Sequence, residues 1–99
     1  EAAAIGYGIV MQVLDEAHLL NISVLPACQQ QGHGEKLLAF LKELAQRHGA
    51  SQMFLEVRAS NHLATGFYLR RGFSQIGLRK GYYPAASGRE AALIMRCAL

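Results

Sequence analysis

The first half of the chain predicts a hairpin followed by a helix. Residues 4–14 and 18–24 are rich in apolar and β-branched residues, and Asp15-Glu16 between them predicts a turn. Pro26 ends the second strand. From 35 to 48 the apolar residues recur three or four positions apart, which predicts a helix that ends at Gly49.

The second half of the chain predicts a third strand and a second helix. Residues 51–57 alternate so that Met53, Leu55 and Val57 share one face. Ser60 or Asn61 can cap the helix that follows, and Gly72 is placed to end it.

Two more strands are predicted near the C-terminus, at 74–79 and 90–95. The segment KGYYPAASGR between them, residues 80–89, is too long for a tight hairpin, so we expect a loop. The predicted order is β-β-α-β-α-β-β, an α/β fold with a mixed sheet. A length of 99 residues allows one domain.

Composition excludes several classes of function. The net charge of +3 is small, and no run of basic residues with interleaved aromatics is present, so we expect no direct nucleic-acid contact. Cys28 and Cys97 are isolated, which argues against a metal site and a disulfide framework and favours a reducing cytoplasm. No stretch approaches 18 consecutive apolar residues, so we expect no membrane span.

The stretch CQQQGHGEKLL, residues 28–38, places two glycines where a strand gives way to a helix that has no Ser, Thr, Asp or Asn as N-cap. It is not a Walker loop, because Gly34 is followed by Glu-Lys-Leu, and it lacks the third glycine of a dinucleotide fingerprint. The remaining pattern is Gln29-x-x-Gly32-x-Gly34. It indicates either a phosphate site at the helix start or an ordinary glycine turn.

The chain resembles the GNAT superfamily of acetyl-CoA-dependent N-acetyltransferases, whose pyrophosphate loop reads Q/R-x-x-G-x-G/A. More narrowly, it is similar to the bacterial ribosomal-protein-alanine N-acetyltransferases. The supporting stretches are LDEAHLLNISV, QQQGHGEKLL, LEVRASN, FYLRRGF and YYPAASGREAALIM. The family's first strand, first two helices and most of its second strand have no counterpart here. The resemblance therefore implies that residues 1–99 form one partial, N-terminally truncated GNAT (acyl-CoA N-acyltransferase) domain with a mostly antiparallel sheet and two helices.

The resemblance also implies a site for acetyl-CoA and no metal. The backbone of residues 22–24 should lie beside the acetyl and pantetheine part, residues 30–35 should wrap the pyrophosphate, and Asn61 should touch the pantetheine arm. The implied cofactor-binding residues are Ile22, Ser23, Val24, Gln30, Gln31, Gly32, His33, Gly34, Glu35 and Asn61.

Two residues are candidates for acid–base chemistry. Glu56 is the only charge in an apolar strand, where burial would favour a role as general base; alternatively it pairs with Arg58 or another cation. Tyr68 follows Glu56 by twelve residues, as the family's general acid does, and could protonate the coenzyme's thiolate; alternatively it is a core aromatic.

Tyr82 and Tyr83 are the candidate acceptor-binding residues, because the resemblance places their segment over the acceptor peptide. Alternatively, they are surface aromatics that steady a turn at Pro84. The implied function is direct transfer of acetyl to a protein N-terminal amine, with a ribosomal protein as partner. A non-catalytic CoA-binding fragment and an enzyme for small-molecule amines remain the alternatives. The missing segment further predicts that the bare chain associates with itself.

Overall fold

A computed structural model describes residues 4–85 and 88–99. Five strands and two helices in these residues confirm the predicted α/β order. The elements are β1 Gly6–Val13, β2 Glu16–Val24, a short 3-10 helix Pro26–Cys28, α1 His33–Arg47, β3 Gln52–Arg58, α2 His62–Arg70, β4 Ser74–Ala85 and β5 Gly88–Ala98. The strands form one sheet in the order β1-β2-β3-β5-β4.

The chain makes two compact units, which divide within β3. One contains the residues up to Met53 together with Leu99, and the other is Phe54–Ala98. The prediction that residues 1–99 are one partial domain stays a prediction. Neither helix in the described part of the chain is long and apolar enough to cross a membrane.

The first unit is the β1–β2 hairpin with α1 packed on it. The strands pair antiparallel, and the turn lies at Leu14 and Asp15, one residue earlier than predicted, with Leu14 at a φ of 55°. A side chain at Gly8 would overlap Leu41, so α1 packs directly on the backbone of β1. The buried apolar residues of this unit are Ala17, Leu19, Leu38, Leu41, Ala45, Ala50 and Met53.

The outer face of β1 is apolar and exposed. The side chains of Tyr7, Ile9, Met11 and Val13 are all about half exposed, at 48–54%. They alternate with the residues that face α1, as a strand requires. We call these four residues the β1 stripe.

The second unit contains the rest of β3, α2 and the β4–β5 pair. Leu55 and Val57 of β3 are buried, as the alternation predicts. Of the two predicted caps for α2, Ser60 and Asn61, the structure shows Asn61, whose Oδ1 accepts the N–H of Ala64 at 3.1 Å. The other buried apolar residues of this unit are Phe73, Ala92, Met95 and Cys97.

The loop predicted at 80–89 is wrong for its described part. β4 continues to Ala85 and β5 starts at Gly88, while 86 and 87 lie outside the described residues. The register shifts between Arg79 and Tyr83, so β4 carries extra residues in a bulge, and Gly81 there has a φ of 63°. The segment that is too long for a tight hairpin is therefore accommodated, in its described part, as an irregular hairpin.

Candidate functional site

In the first unit, the turn before α1 is built from backbone in the left-handed region. Gln30 has a φ of 60° and Gly32 a φ of 82°. Gly32 is the N-cap of α1, and no side chain caps the helix. Apart from Gly32 and its two chain neighbours, nothing lies within 4 Å of the place where a Cβ on Gly32 would stand. The first N–H groups of a helix have no partner inside it, so this end can receive an anion.

Three side chains brace the same turn. Gln29 Nε2 donates to the Val24 carbonyl at 3.0 Å, and Gln31 Nε2 donates to the Ala27 carbonyl at 3.3 Å. His33 Nε2 lies 3.3 Å from Gln31 Oε1. Sequence reasoning left Gln29 out of the site, although its position at the head of the Q-x-x-G-x-G pattern was a signal that could have included it. Gln31 and His33 therefore act in the turn's own structure.

The end of β2 also belongs to this unit. Ile22, Ser23 and Val24 pair with β1 in antiparallel register. A cavity of about 330 Å³ lies against Ser23 and Val24. Its lining residues are Ala4, Gly6, Tyr7, Ser23, Val24, Leu25 and Pro26.

Gly34 lies in the first turn of α1, and Glu35 follows it as an acidic residue of that turn. This turn therefore offers an anion the backbone N–H groups and the dipole of α1.

In the second unit, Glu56 is paired rather than buried. Its side chain is 30% exposed, and Oε1 lies 3.0 Å from Arg79 Nη2. The expected burial is wrong, because alternation along β3 turns Glu56 away from the face of Leu55 and Val57. The alternative expectation was a pair with Arg58 or another cation. The structure shows the second form, because Glu56 pairs with Arg79 while Arg58 pairs with Glu90.

Tyr68 is held by aromatic contacts at the end of α2. Its ring lies edge-on to Phe67 and Phe73, with centroids 5.3 and 5.4 Å away. Phe73 donates its N–H to the Tyr68 carbonyl at 3.1 Å, in a Schellman-type helix end with Gly72 in the left-handed region. Burial raises the pKa of the Tyr68 phenol. The phenol is therefore protonated at neutral pH.

Asn61 serves first as a helix cap. Its Oδ1 is engaged by Ala64, and its backbone carbonyl accepts the Thr65 hydroxyl at 2.9 Å. A contact with a ligand would therefore fall to the Nδ2 group.

The two adjacent tyrosines of β4 each lie under an arginine. Arg79 lies 4.6 Å from the centroid of the Tyr82 ring, and Arg58 lies 4.5 Å from that of Tyr83. The two rings are edge-on, 4.9 Å apart. Burial, with a smaller contribution from Glu56, raises the pKa of Tyr83. Tyr82 is 42% exposed and offers an aromatic surface to a partner.

Glu90 joins this cluster from β5. Its Oε1 accepts from Arg58 Nη1 at 2.9 Å and from the Ser60 hydroxyl at 3.1 Å. The Ser60 N–H donates to Oε2 at 3.3 Å. The bonds from Arg58 and Ser60 hold the pKa of this carboxyl below its usual range. Sequence reasoning quoted this glutamate within a motif and gave it no role.

Metal ligation has no candidate in the described residues, where no three His, Cys, Asp or Glu side chains come together. Both cysteines are free thiols, with Cys97 buried.

Residues 1–73 match the family model described as the acetyltransferase (GNAT) family. A relative from Escherichia coli strain K12, named ribosomal protein bS18-alanine N-acetyltransferase, is 45% identical over 89 residues. The match covers 90% of this chain and 60% of the relative. The chain thus spans about 60% of the length of this curated relative.

Solved structures show the same fold. The crystal structure of the ribosomal-protein-S18-alanine N-acetyltransferase from Escherichia coli matches with a TM-score of 0.86 and 42% identity, over 95% of this chain and 61% of that one. Nourseothricin acetyltransferase matches with a TM-score of 0.85 and 31% identity, over 95% of this chain and 57% of that one. The predicted GNAT fold is confirmed.

Proposed function

Since the chain belongs to the acetyltransferase (GNAT) family, we propose that it transfers an acetyl group from acetyl-CoA to a protein N-terminal amine. The acceptor we propose is the N-terminal alanine of a small-subunit ribosomal protein. Support comes from the name of the Escherichia coli relative, which specifies an alanine of ribosomal protein bS18. Because the chain spans only part of that relative, the proposal concerns the protein to which these residues belong.

The observation that carries the proposal is the start of α1, where Gly32 is the N-cap and no side chain caps the helix. Gly32 has a φ of 82° and open space at its Cβ position, so a phosphate can approach the backbone there. The helix dipole favours an anion at the same point. These features fit the pyrophosphate of acetyl-CoA. Residues assigned to that contact are Gln30, Gln31, Gly32, His33, Gly34 and Glu35.

The remaining contacts with acetyl-CoA are assigned to the end of β2 and to Asn61. The backbone of Ile22, Ser23 and Val24 supplies strand-type hydrogen-bonding groups. The Val24 carbonyl accepts one bond from Gln29, which holds this end of β2 against the turn before α1. Bound acetyl-CoA supplies a thioester that an amine can attack.

Two side chains of the second unit do the proton chemistry in this proposal. Glu56 removes the proton from the acceptor ammonium, directly or through one water. An α-amino group has a pKa of about 8, about two units below that of a lysine side chain, so it gives up its proton more readily. The Arg79 contact fixes the orientation of the Glu56 carboxylate. Tyr68 carries a proton on its phenol oxygen for the leaving sulfur. No covalent intermediate on the protein is needed.

The acceptor peptide is assigned to Tyr82 and Tyr83. Their rings are steadied by Arg79 and Arg58, so they form a rigid aromatic surface at little cost in side-chain entropy. The partners in this proposal are acetyl-CoA and the protein N-terminus, with neither nucleic acid nor membrane, and the location is the cytoplasm.

An enzyme for a small-molecule amine is the second candidate. The 31% identity to nourseothricin acetyltransferase favours it. The exposed Tyr82 ring favours a peptide instead, because a small amine does not need an extended aromatic surface.

A three-way acetylation assay separates these functions. The protein, in a form with the length of its relatives, is incubated with acetyl-CoA and an alanine-terminated peptide, the same peptide with a blocked N-terminus, or alaninamide. We expect acetylation of the free peptide alone. Equal rates with alaninamide would support the small-molecule enzyme. CoA binding by calorimetry without acetylation of either amine would indicate a non-catalytic CoA-binding protein.

A further inference from the structure

We infer that Glu90 is a positioning residue that couples residues 82–84 of β4 to the start of α2. The coupling is a property of the second unit and stands on its contacts alone. Its consequence for acceptor binding rests on the proposed function. The motifs LEVRASN and GRE, which are far apart in the sequence, then work as one physical unit.

The coupling passes through the two oxygens of one carboxylate. Oε1 accepts from both Arg58 Nη1 and the Ser60 hydroxyl, at 2.9 and 3.1 Å. Oε2 accepts the Ser60 N–H at 3.3 Å. Hydrogen bonds to an ionised carboxylate are stronger than neutral ones, and the Glu90 side chain is only 21% exposed. Glu90 thereby fixes Arg58 and Ser60 relative to each other.

Arg58 carries the coupling to β4. The same Nη1 atom donates to the Pro84 carbonyl at 2.8 Å, and the guanidinium lies over the Tyr83 ring. A planar guanidinium with several donors in fixed directions can hold a carboxylate, a carbonyl and a ring at once. The guanidinium that Glu90 orients therefore holds the Pro84 carbonyl and the Tyr83 ring together.

Ser60 carries the coupling to α2. It immediately precedes Asn61, the N-cap whose Oδ1 accepts from Ala64. The Asn61 N–H also donates to the Arg58 carbonyl at 3.0 Å. The start of the helix that carries Tyr68 is thus tied to the same carboxylate as the two tyrosines of β4.

The test uses nuclear magnetic resonance and amide hydrogen exchange on two variants. Glu90→Gln removes the charge with little change of shape, and Ser60→Ala removes the hydroxyl bond alone. Glu43→Gln and Ser51→Ala are the matched controls. Glu43 pairs with Arg47 on α1, and Ser51 Oγ bonds the Asp15 carboxylate at 3.2 Å, both in the first unit.

We expect Glu90→Gln to speed exchange of the Ser60 amide by about tenfold, the scale of one lost charged hydrogen bond. Ser60→Ala should shift the ring resonances of Tyr83, because Glu90 and Arg58 link the Ser60 hydroxyl to that ring. The controls should leave both signals unchanged. Unmoved Tyr83 resonances in Ser60→Ala, or parent-like Ser60 exchange in Glu90→Gln, would overturn the coupling.

Kinetics then separate positioning from bulk stability. With an active parent, Glu90→Gln should raise KM for the acceptor peptide about tenfold while kcat changes less than about twofold, because Glu56 is unchanged and Phe67 and Phe73 still hold the Tyr68 ring. A parallel fall in kcat with unchanged KM would contradict the acceptor-side role. If a parent protein with the length of its relatives were inactive but still showed the resonance and exchange effects, the proposed function would be refuted and the coupling would stand.

Discussion

Glu56 Oε1 lies 3.0 Å from Arg79 Nη2, although β5 separates their two strands in the sheet. The contact joins the proposed base to the residue that also lies over the Tyr82 ring. The Arg79 contact engages one oxygen of the Glu56 carboxylate and orients the group. In the proposed role of base, the other oxygen accepts the proton.

Replacement of Glu56 by Gln should lower kcat for the alanine-terminated peptide by roughly 10²–10⁴, the usual scale for loss of a general base. CoA affinity should survive, because Glu56 lies outside the turn assigned to CoA. The measurement is steady-state acetylation together with calorimetry. Glu43→Gln, in the α1 ion pair, is the control and should behave as the parent. A parent-like rate for Glu56→Gln would remove it from the role of base.

Tyr68→Phe should cut turnover while keeping the edge-on packing with Phe67 and Phe73. Burial raises the pKa of Tyr68, so the phenol should stay protonated and active across the neutral range. The stability that this neutral, half-buried phenol confers is complete below about pH 10 and is lost as the pH rises through its folded pKa. The alkaline fall in melting temperature should therefore be smaller in Tyr68→Phe. Tyr7→Phe, at an exposed tyrosine, is the control; equal alkaline falls in both variants would argue against burial as the cause.

The sequence predicted the elements well because each carries a local signal. Alternation in β3 gave the buried set Met53, Leu55 and Val57, and Asn61 gave the start of α2. The predictions that were wrong concern segments whose conformation depends on tertiary contacts. The segment expected to be a loop is a bulged part of β4. It is held by a residue of β5, because Arg89 Nη2 donates to the Tyr82 carbonyl at 2.9 Å.

The candidate site was predictable only where it is contiguous. The turn before α1 could be predicted from two glycines and from the lack of a Ser, Thr, Asp or Asn residue to cap the helix. The choice of Arg79 over Arg58 as the partner of Glu56 depends on a cross-strand pairing that no local pattern encodes. Glu90 remained unassigned for the same reason, because its partner Ser60 lies 30 residues away.

Gly32→Ala should weaken CoA binding by about tenfold, and Gly49→Ala provides a matched comparison. Both glycines have a positive φ, 82° and 91°, with open space at the Cβ position, at opposite ends of α1. Each alanine should cost about 1–2 kcal/mol of stability through the left-handed conformation. A Cβ at position 32 also stands where the phosphate is proposed to approach. Thermal melts and calorimetry test this pair: equal losses of affinity in both variants would show that the effect is strain alone.

Glu90 should make stability depend on pH on the acid side. Its pKa is lowered by the bonds from Arg58 and Ser60. Because the pKa of Glu90 is lower in the folded state, its ionised carboxylate stabilises the fold at pH values above the unfolded pKa of about 4.5. This stabilisation is lost as the pH falls through the folded pKa. The parent should therefore melt above Glu90→Gln at pH 7, and the difference should shrink below pH 4.5. A constant difference from pH 7 to pH 3 would contradict this account.

The 99-residue polypeptide, expressed by itself, should associate through the β1 stripe. Tyr7, Ile9, Met11 and Val13 form a continuous apolar row on one face of β1, and exposed rows of this kind are uncommon on soluble monomers. β1 is also an edge strand of the sheet, so its free edge can pair with another chain. Ile9→Lys with Met11→Glu interrupts the row with opposite charges.

Light scattering at increasing protein concentration measures the association. We expect the mass of the parent polypeptide to rise with concentration and that of the double variant to stay at the monomer value, because charged side chains on the stripe oppose burial against another copy. Leu63→Lys, at a residue that is 78% exposed on α2, is the control and should associate as the parent does. A monomeric parent over the whole range would show that the β1 stripe tolerates water, and an associating double variant would place the contact elsewhere.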